Sequence, residues 1–319
     1  MRVFVSRPLP APAMERLARS FDVTTGPADR ATTADELLAG AREADALVSM
    51  LSDRIDRAFL EACPRLRVAA NYAVGVNNID LAAAAARGVW ATNTPGVLTD
   101  ATADLAFGLL LSVARRIPES ERFLREGRFD GWAPLLFVGA DVASATLGIV
   151  GLGRIGQAVA RRARAFGMEV VYSGHRRKPE EQEQGARFVS HDELVATSDF
   201  VSLHCPLTPE TRHLFDARAF GRMKRGAILV NTARGPVVDE AALVEALQSG
   251  HLGGAGLDVF EDEPKVHPGL LALPNVVLTP HTGSATRGTR LRMAEMVCED
   301  VERVLAGQAP KFPVNQPVR

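Results

Sequence analysis

Short apolar or β-branched runs alternate with longer Ala/Leu/Glu/Arg segments along the whole chain. Runs of this length suit strands, and the longer segments carry apolar positions at helical spacing, so the pattern predicts βα units around parallel sheets. In the first hundred residues strands are predicted at Val3–Ser6, Ala46–Met50, Arg67–Ala70 and Val89–Thr92, with helices between them. Thr99–Ile117 then predicts a single helix of about five turns, with a domain boundary near its start. A second series of strands follows, and each ends in residues able to do chemistry. Thr146–Val150 leads into Gly151, Glu169–Tyr172 into Gly174, Phe200–Leu203 into Cys205 and Pro206, Ala227–Asn231 into Thr232 and Arg234, Gly254–Leu257 into Asp258, and Val276–Thr279 into His281. Open parallel sheets bind ligands beyond the carboxyl ends of their strands, so the second series aims polar side chains at one crevice.

The chain has 319 residues, enough for two domains with cores of their own. Its 37 Lys+Arg against 38 Asp+Glu argue against nucleic acid or an anionic membrane as the main partner. Three cysteines, Cys63, Cys205 and Cys298, lie far apart, which fits a reducing compartment and offers no metal site. The start of the chain reads as a strand rather than a signal peptide, and the most apolar stretch, Leu105–Ala114, is too short to span a membrane. A cytoplasmic protein is expected.

Leu147-Gly148-Ile149-Val150-Gly151-Leu152-Gly153-Arg154-Ile155-Gly156 reads as a strand, a GxGxxG turn and a helix start. Gly151 permits the tight turn, Gly153 lets backbone approach a pyrophosphate, and Gly156 lets helix pack close to strand. Ile155, Val159, Ala163 and Phe166 form one helical stripe, with Gly167 at the expected helix end. A dinucleotide site is the expectation. At the end of the next strand an NAD site places an acid for the ribose 2′-hydroxyl. This chain has Gly174 there, followed by His175, Arg176, Arg177 and Lys178. Losing the acid and gaining guanidinium groups suits a 2′-phosphate, so NADP(H) is expected as the preferred cofactor and NAD(H) as the secondary one.

Hydride transfer to a 2-oxo acid needs a cation for carboxylate and carbonyl, a proton donor for the developing alkoxide, and a group that orients the donor. Arg234, His281 and Glu263 supply these types at the ends of strands. Six other histidines (His175, His191, His204, His213, His251, His267) compete with His281, and spacing alone does not choose among them.

The order of motifs does. Val74-Gly75-Val76-Asn77-Asn78-Ile79-Asp80, Asn93-Thr94-Pro95, the Gly151 turn, Asn231 to Glu240, Gly256 to Phe260 with Glu263-Pro264, and Pro280 to Ser284 together resemble the D-isomer-specific 2-hydroxyacid dehydrogenase family over essentially the whole chain. Within it the chain is most similar to glyoxylate/hydroxypyruvate reductases, through Val97 to Asp104, Gly131-Trp132 and Gly283 to Thr286. The resemblance implies an α/β protein of two Rossmann-like doubly wound parallel-sheet domains with an interdomain active-site cleft. The substrate domain would be flavodoxin-like and discontinuous (1–98 plus 288–319), and the dinucleotide-binding domain would span 99–287. It implies Arg234, Glu263 and His281 as the catalytic set. Val74 and Gly75 would hold the substrate carboxylate through backbone N–H groups, with Leu51 a wall of the pocket and Trp132 reaching the substrate across a homodimer interface. Arg154 and Ile155 would line the pyrophosphate, Cys205 and Pro206 the adenosine side and Thr232 the nicotinamide side, Ala233 and Gly283 would also contact the cofactor, and Asp258 would bond the carboxamide. Asn77 departs from the family in standing where many relatives carry Asp. The reaction expected is NADPH-dependent reduction of small 2-oxo acids. A 2-ketogluconate reductase, a phosphoglycerate dehydrogenase and a dinucleotide-sensing corepressor-like protein remain as alternatives.

Overall fold

The computed structural model describes residues 1–318. Two compact units divide them: Met1–Leu98 with the chain from Ser284, and Thr99–Gly283. In the first lie β1 (Arg2–Val5), α1 (Ala11–Ala18), β2 (Asp22–Thr25), α2 (Ala34–Ala41), β3 (Ala46–Ser49), α3 (Arg57–Ala62), β4 (Val68–Asn71), α4 (Leu81–Ala86) and β5 (Trp90–Thr92). The second holds α5 (Thr99–Ala114), α6 (Ile117–Arg125), β6 (Thr146–Val150), α7 (Arg154–Ala165), β7 (Glu169–Ser173), α8 (Glu180–Glu183), β8 (Arg187–Phe188), α9 (His191–Thr197), β9 (Phe200–Leu203), α10 (Ala217–Arg222), β10 (Ile228–Asn231), α11 (Glu240–Gln248), β11 (Gly254–Leu257), α12 (Pro268–Leu271) and β12 (Val276–Leu278). A last helix, α13 (Arg287–Leu305), returns to the first unit.

Both sheets are parallel throughout. The first has the order β2-β1-β3-β4-β5, and the second β12-β11-β10-β9-β6-β7-β8. Strands covered on both faces must be apolar at successive positions. Accordingly β3, β4, β9, β10 and β11 are buried at every residue. Each sheet has an apolar core on either side. In the first unit α1 and α13 cover one face with Leu17, Val297, Cys298 and Val301, and Phe4, Leu47, Leu60 and Ala84 fill the other. In the second, α5 and α7 cover one face with Ala106, Phe107, Leu110 and Val159, while Leu194, Phe215, Leu229 and Leu243 fill the other.

Three features differ from the pattern-based expectation. The helix predicted over Thr99–Ile117 ends at Ala114, because Arg116 turns left-handed (φ 51°) and Pro118 opens a new helix, α6. Two strands were invisible to the pattern, β2 (DVTT) and β8 (RF). Both are edge strands, exposed or half-buried, and so lack the apolar signature of the buried ones. The helical stripe also ends early: Val159 and Ala163 are buried, but Phe166 is 46% exposed and lies tilted against Phe107.

His204 follows β9 and its Nε2 lies 2.8 Å from the Ser202 hydroxyl. Burial pushes its imidazole down to about 4, against an ordinary 6.5. The folded state therefore resists a proton that the unfolded chain accepts. Stability from neutral His204 is complete above the ordinary value and is lost as pH falls from there through about 4. The difference corresponds to at most about 3 kcal/mol, an upper bound because the residue keeps some exposed surface. Melting temperatures between pH 7 and 4 should fall less steeply in His204→Gln than in the parent, and parallel curves would contradict this account.

Candidate active site

The strand order of the second unit reverses beside β6, whose neighbours are β7 on one side and β9 on the other. At this switch point the glycine turn meets the end of β9. Gly151 has φ 95°, and a Cβ there would lie 2.8 Å from the Cys205 nitrogen. A Cβ on Gly156 would lie 2.4 Å from the Gly151 carbonyl oxygen, so helix and turn are in contact. Gly153 is the N-cap of α7, offers no side-chain cap, and has open space where its Cβ would be. The first-turn N–H groups of a twelve-residue helix thus face an unobstructed approach, with Arg154 exposed and Ile155 half-buried beside them.

Other residues expected at the cofactor follow β7, β9 and β10 of the same sheet. Gly174 is exposed, with open space at its Cβ position. Of the basic residues after it, Arg177 is already engaged. Its Nε donates to Glu183 Oε1 at 2.9 Å and its Nη2 to Oε2 at 3.2 Å, while the buried Tyr172 hydroxyl donates to the same carboxylate at 2.8 Å. His175 and Arg176 remain exposed. Cys205 is buried, which pushes its thiol up to about 11 and removes it as a nucleophile, while Pro206 is exposed. Ala233 and Thr232 follow β10, both nearly buried, and the Thr232 hydroxyl has no hydrogen-bond partner among the described residues. An open glycine cradle at a helix N-terminus and an orphaned hydroxyl at the end of β10 in the same sheet fit a dinucleotide.

Asp258 is busier than its sequence position suggests. Its Oδ1 accepts from the Thr279 hydroxyl at 2.6 Å, and from the Thr282 N–H and hydroxyl at 2.7 and 3.1 Å. Its Oδ2 accepts from the Gly283 N–H at 2.8 Å. The buried carboxylate thus builds the loop that carries His281, whose own N–H donates to the Asp258 carbonyl at 2.9 Å. His281 is held left-handed there, at φ 54°, a conformation that a non-glycine residue adopts at a cost.

His281 Nδ1 lies 2.9 Å from Glu263 Oε2, and Glu263 Oε1 accepts the Phe260 N–H at 2.9 Å. Burial pushes the Glu263 carboxyl up, but the bond and charge of His281, the Phe260 N–H and the charge of Arg234 outweigh it, holding the group below the usual carboxyl range. Glu263 is therefore ionised and accepts, so Nδ1 carries the proton and Nε2 is the ring atom left to face a ligand. Arg234 follows β10; its Nη1 donates to the Ala233 carbonyl at 2.6 Å, and Asn231 holds the turn by donating to the Arg234 carbonyl at 3.0 Å. Burial lowers the Arg234 pKa and the Glu263 charge opposes this; guanidinium stays charged at neutral pH.

Among the described residues two histidine–carboxylate pairs exist, and residue spacing alone did not rank them. His213 Nε2 lies 2.5 Å from Glu261 Oε1, but that carboxylate faces Arg212 at 4.0 Å, and its other oxygen accepts the Glu240 N–H at 3.4 Å. The His281 pair is the one whose carboxylate, Glu263, is stabilised by the charge of Arg234 in the catalytic set. The remaining histidines are structural or exposed: His251 meets the Met223 carbonyl, His267 caps α12, and burial lowers the pKa of His191. Leu51, Val74 and Gly75 lie in the first unit, half-buried in the turns after β3 and β4. Trp132 is 84% exposed in the irregular segment after α6.

Residues 107–283 match the family described as D-isomer specific 2-hydroxyacid dehydrogenase, NAD binding domain. A glyoxylate reductase of Thermococcus kodakarensis is 50% identical, over 99% of this chain and 97% of that one. The chain belongs to the D-isomer specific 2-hydroxyacid dehydrogenase family. It is an oxidoreductase of the glyoxylate reductase type, its cofactor is a nicotinamide dinucleotide, and it reduces 2-oxo acids. Among solved structures, a protein of Thermus thermophilus superposes with a TM-score of 0.94 at 50% identity, covering 98% of this chain and 100% of that one. An NADPH-dependent glyoxylate/hydroxypyruvate reductase of Sinorhizobium meliloti, in complex with NADP and malonate, does so at 0.89 and 34%, covering 100% and 98%.

The sequence reading of this dehydrogenase missed the asparagines that shape its turns. Asn71, Asn78 and Asn93 each bond backbone carbonyls near Val74, Gly75 or Leu51. Two of them stood inside motifs already noted, which was the available signal.

Proposed function

We propose that the protein reduces small 2-oxo acids, glyoxylate to glycolate and hydroxypyruvate to D-glycerate, in the cytoplasm, with NADPH preferred over NADH. The carrying observation is the His281–Glu263 pair at 2.9 Å, with Arg234 close enough to lower the Glu263 pKa. The reduced nicotinamide, when bound, supplies the hydride that reaches the substrate C2. Arg234 binds the carbonyl oxygen and carboxylate, and its charge stabilises the alkoxide that develops. His281 gives its Nε2 proton to that oxygen and takes it back in the reverse direction, while Glu263 holds the imidazolium. The Val74 and Gly75 N–H groups fix the substrate carboxylate, with Leu51 bounding the pocket; the first unit thus serves the substrate and the second the dinucleotide. In the second unit Arg154 and Ile155 flank the pyrophosphate, and Thr232, Ala233, Asp258 and Gly283 serve the nicotinamide.

NADPH preference is supported by the missing acid at Gly174 and by the exposed His175 and Arg176. Because Glu183 grips Arg177, Arg176 carries more of the contact with the 2′-phosphate. Arg176→Ala should raise the KM for NADPH by roughly 10-fold and leave that for NADH unchanged, with Arg177→Ala having the smaller effect. Initial rates with NADPH and NADH against glyoxylate, hydroxypyruvate, 2-ketogluconate and phosphohydroxypyruvate test the whole reading. A faster reaction with NADH, or turnover confined to the two larger acids, would overturn it.

The segment after α6 exposes Phe129, Trp132, Leu135 and Val138, at 53, 84, 85 and 61%. These side chains support a homodimer in which Trp132 packs against the partner. Light scattering should give twice the 34.2 kDa chain mass, and a monomer for Trp132→Ala combined with Leu135→Ala. A monomeric parent would exclude the assembly.

A further inference from the structure

Three consecutive carbonyls in the turn after β4 are held by donors at strand ends. The Ala73 oxygen accepts the Thr94 N–H at 2.9 Å, the Val74 oxygen accepts Asn93 Nδ2 at 2.7 Å, and the Gly75 oxygen accepts Asn71 Nδ2 at 2.8 Å. Asn71 is the last residue of β4, and Asn93 and Thr94 directly follow β5. In a planar trans peptide the carbonyl of one residue and the N–H of the next point in opposite directions. Holding these three oxygens toward the strand ends therefore turns the N–H groups of Val74, Gly75 and Val76 away from them. None of the three N–H groups donates to another described residue.

Asn71 is itself fixed. It is fully buried, its Oδ1 accepts the Ser49 hydroxyl at 3.0 Å, and its amide pairs reciprocally with that of Asn78 at 3.2 and 3.3 Å. Asn78 Nδ2 also donates to the Met50 and Asp53 carbonyls at 3.1 and 3.0 Å, which bracket Leu51. A side-chain amide is needed here, because it presents a donor to the Gly75 oxygen and an acceptor to the Ser49 hydroxyl at one site. One run of amides thus joins the turn of Val74 and Gly75 to the turn of Leu51.

We propose that Asn71 and Asn93 are positioning residues that aim the Val74 and Gly75 N–H groups at the substrate carboxylate, with Asn78 tying the Leu51 turn to the same framework. The inference rests on the reading above that this turn holds the carboxylate. N–H groups already aimed before substrate arrives need no ordering on binding, so the asparagines act on substrate affinity rather than on the chemical step.

Asn93 is only half-buried, so Asn93→Ala spares the core and is the principal variant, with Asn71→Ser as the second. Expected is a rise of about tenfold in the KM for glyoxylate, with kcat and the NADPH dissociation constant, followed by fluorescence, within about threefold of the parent. The inhibition constant of oxalate, which offers carboxylates without a reducible carbonyl, should rise in step. A variant that melts like the parent with KM and oxalate inhibition unchanged overturns the proposal, as does a fall in kcat with KM unmoved. Gly75→Pro, or Val74→Pro where that does not fold, removes one N–H donor and leaves the asparagines in place. If it raises both constants while the asparagine variants do not, positioning alone fails. If it changes neither, the turn does not hold the carboxylate, and the reading beneath the proposal fails with it.

Discussion

His281→Gln is expected to lower kcat for glyoxylate reduction by about 10²- to 10⁴-fold, with NADPH affinity within a few fold of the parent. Glutamine keeps a polar side chain of similar reach but cannot deliver a proton from an ionisable nitrogen. The magnitude follows from the pairing: Glu263 Oε2 at 2.9 Å from Nδ1 fixes the ring, which leaves Nε2 for the reacting oxygen. The pH dependence of the pair has a definite sign. The Glu263 carboxyl is held below its ordinary 4.5, so its charge is present throughout the neutral range and is lost only as pH falls through the lowered value. An acid limb from protonation of Glu263 therefore lies below pH 4.5 in the parent and is absent in Glu263→Gln. Activity that survives in His281→Gln would move the proton donor elsewhere, with His213, paired to Glu261, the next candidate.

The second large effect is expected at Gly235, which follows Arg234 and opens the 3₁₀ turn Gly235–Val237. A Cβ there would lie 1.8 Å from the Phe260 carbonyl oxygen, 1.9 Å from its carbon and 2.5 Å from the Glu261 nitrogen. These are backbone atoms, which cannot rotate away as a side chain can. Gly235→Ala must push apart the turn that carries Arg234 and the segment that carries Glu263. Overpacking of this kind costs about 3 kcal/mol or more, or a fall of roughly 10 °C in melting temperature. Because a displacement of about 1 Å can cost about 100-fold in rate, kcat should fall at least that far. Gly108→Ala is the control, since open space surrounds its Cβ position in α5. Melting and turnover of Gly235→Ala equal to those of this control would show that the two segments can separate freely.

Much of this molecule is written locally. The apolar runs at β3, β4, β9 and β10 are legible because both faces of a covered parallel strand must be apolar, so each strand announces itself without reference to its neighbours. The Gly151 turn is legible for a similar reason: a left-handed residue, an open N-cap and a tight helix approach fall within six consecutive positions. The helix break at Arg116 was harder, since Pro118 marks the start of α6 but the apolar spacing runs on through it. The exposed edge strands β2 and β8 left no pattern at all.

Partner choice between distant side chains is another matter. The sequence offered seven histidines and several carboxylates, and although its ordered motifs pointed to His281 with Glu263, 18 residues away, only the folded chain gives that contact its geometry and sets His213 against Glu261, 48 away. It also shows Glu183 closing on Arg177, which a count of basic residues after Gly174 could not reveal. The asparagine framework around Val74 and Gly75 joins strand ends separated by more than 20 positions in the chain. By itself the sequence determined the α/β class, the glycine turn and, through its ordered motifs, the family, because each depends on residues close together in the chain. The tertiary structure alone decided which charges meet, which N–H groups are left facing outward, and where backbone passes too close for a methyl group. Those properties depend on distances between elements, which local chemistry does not encode.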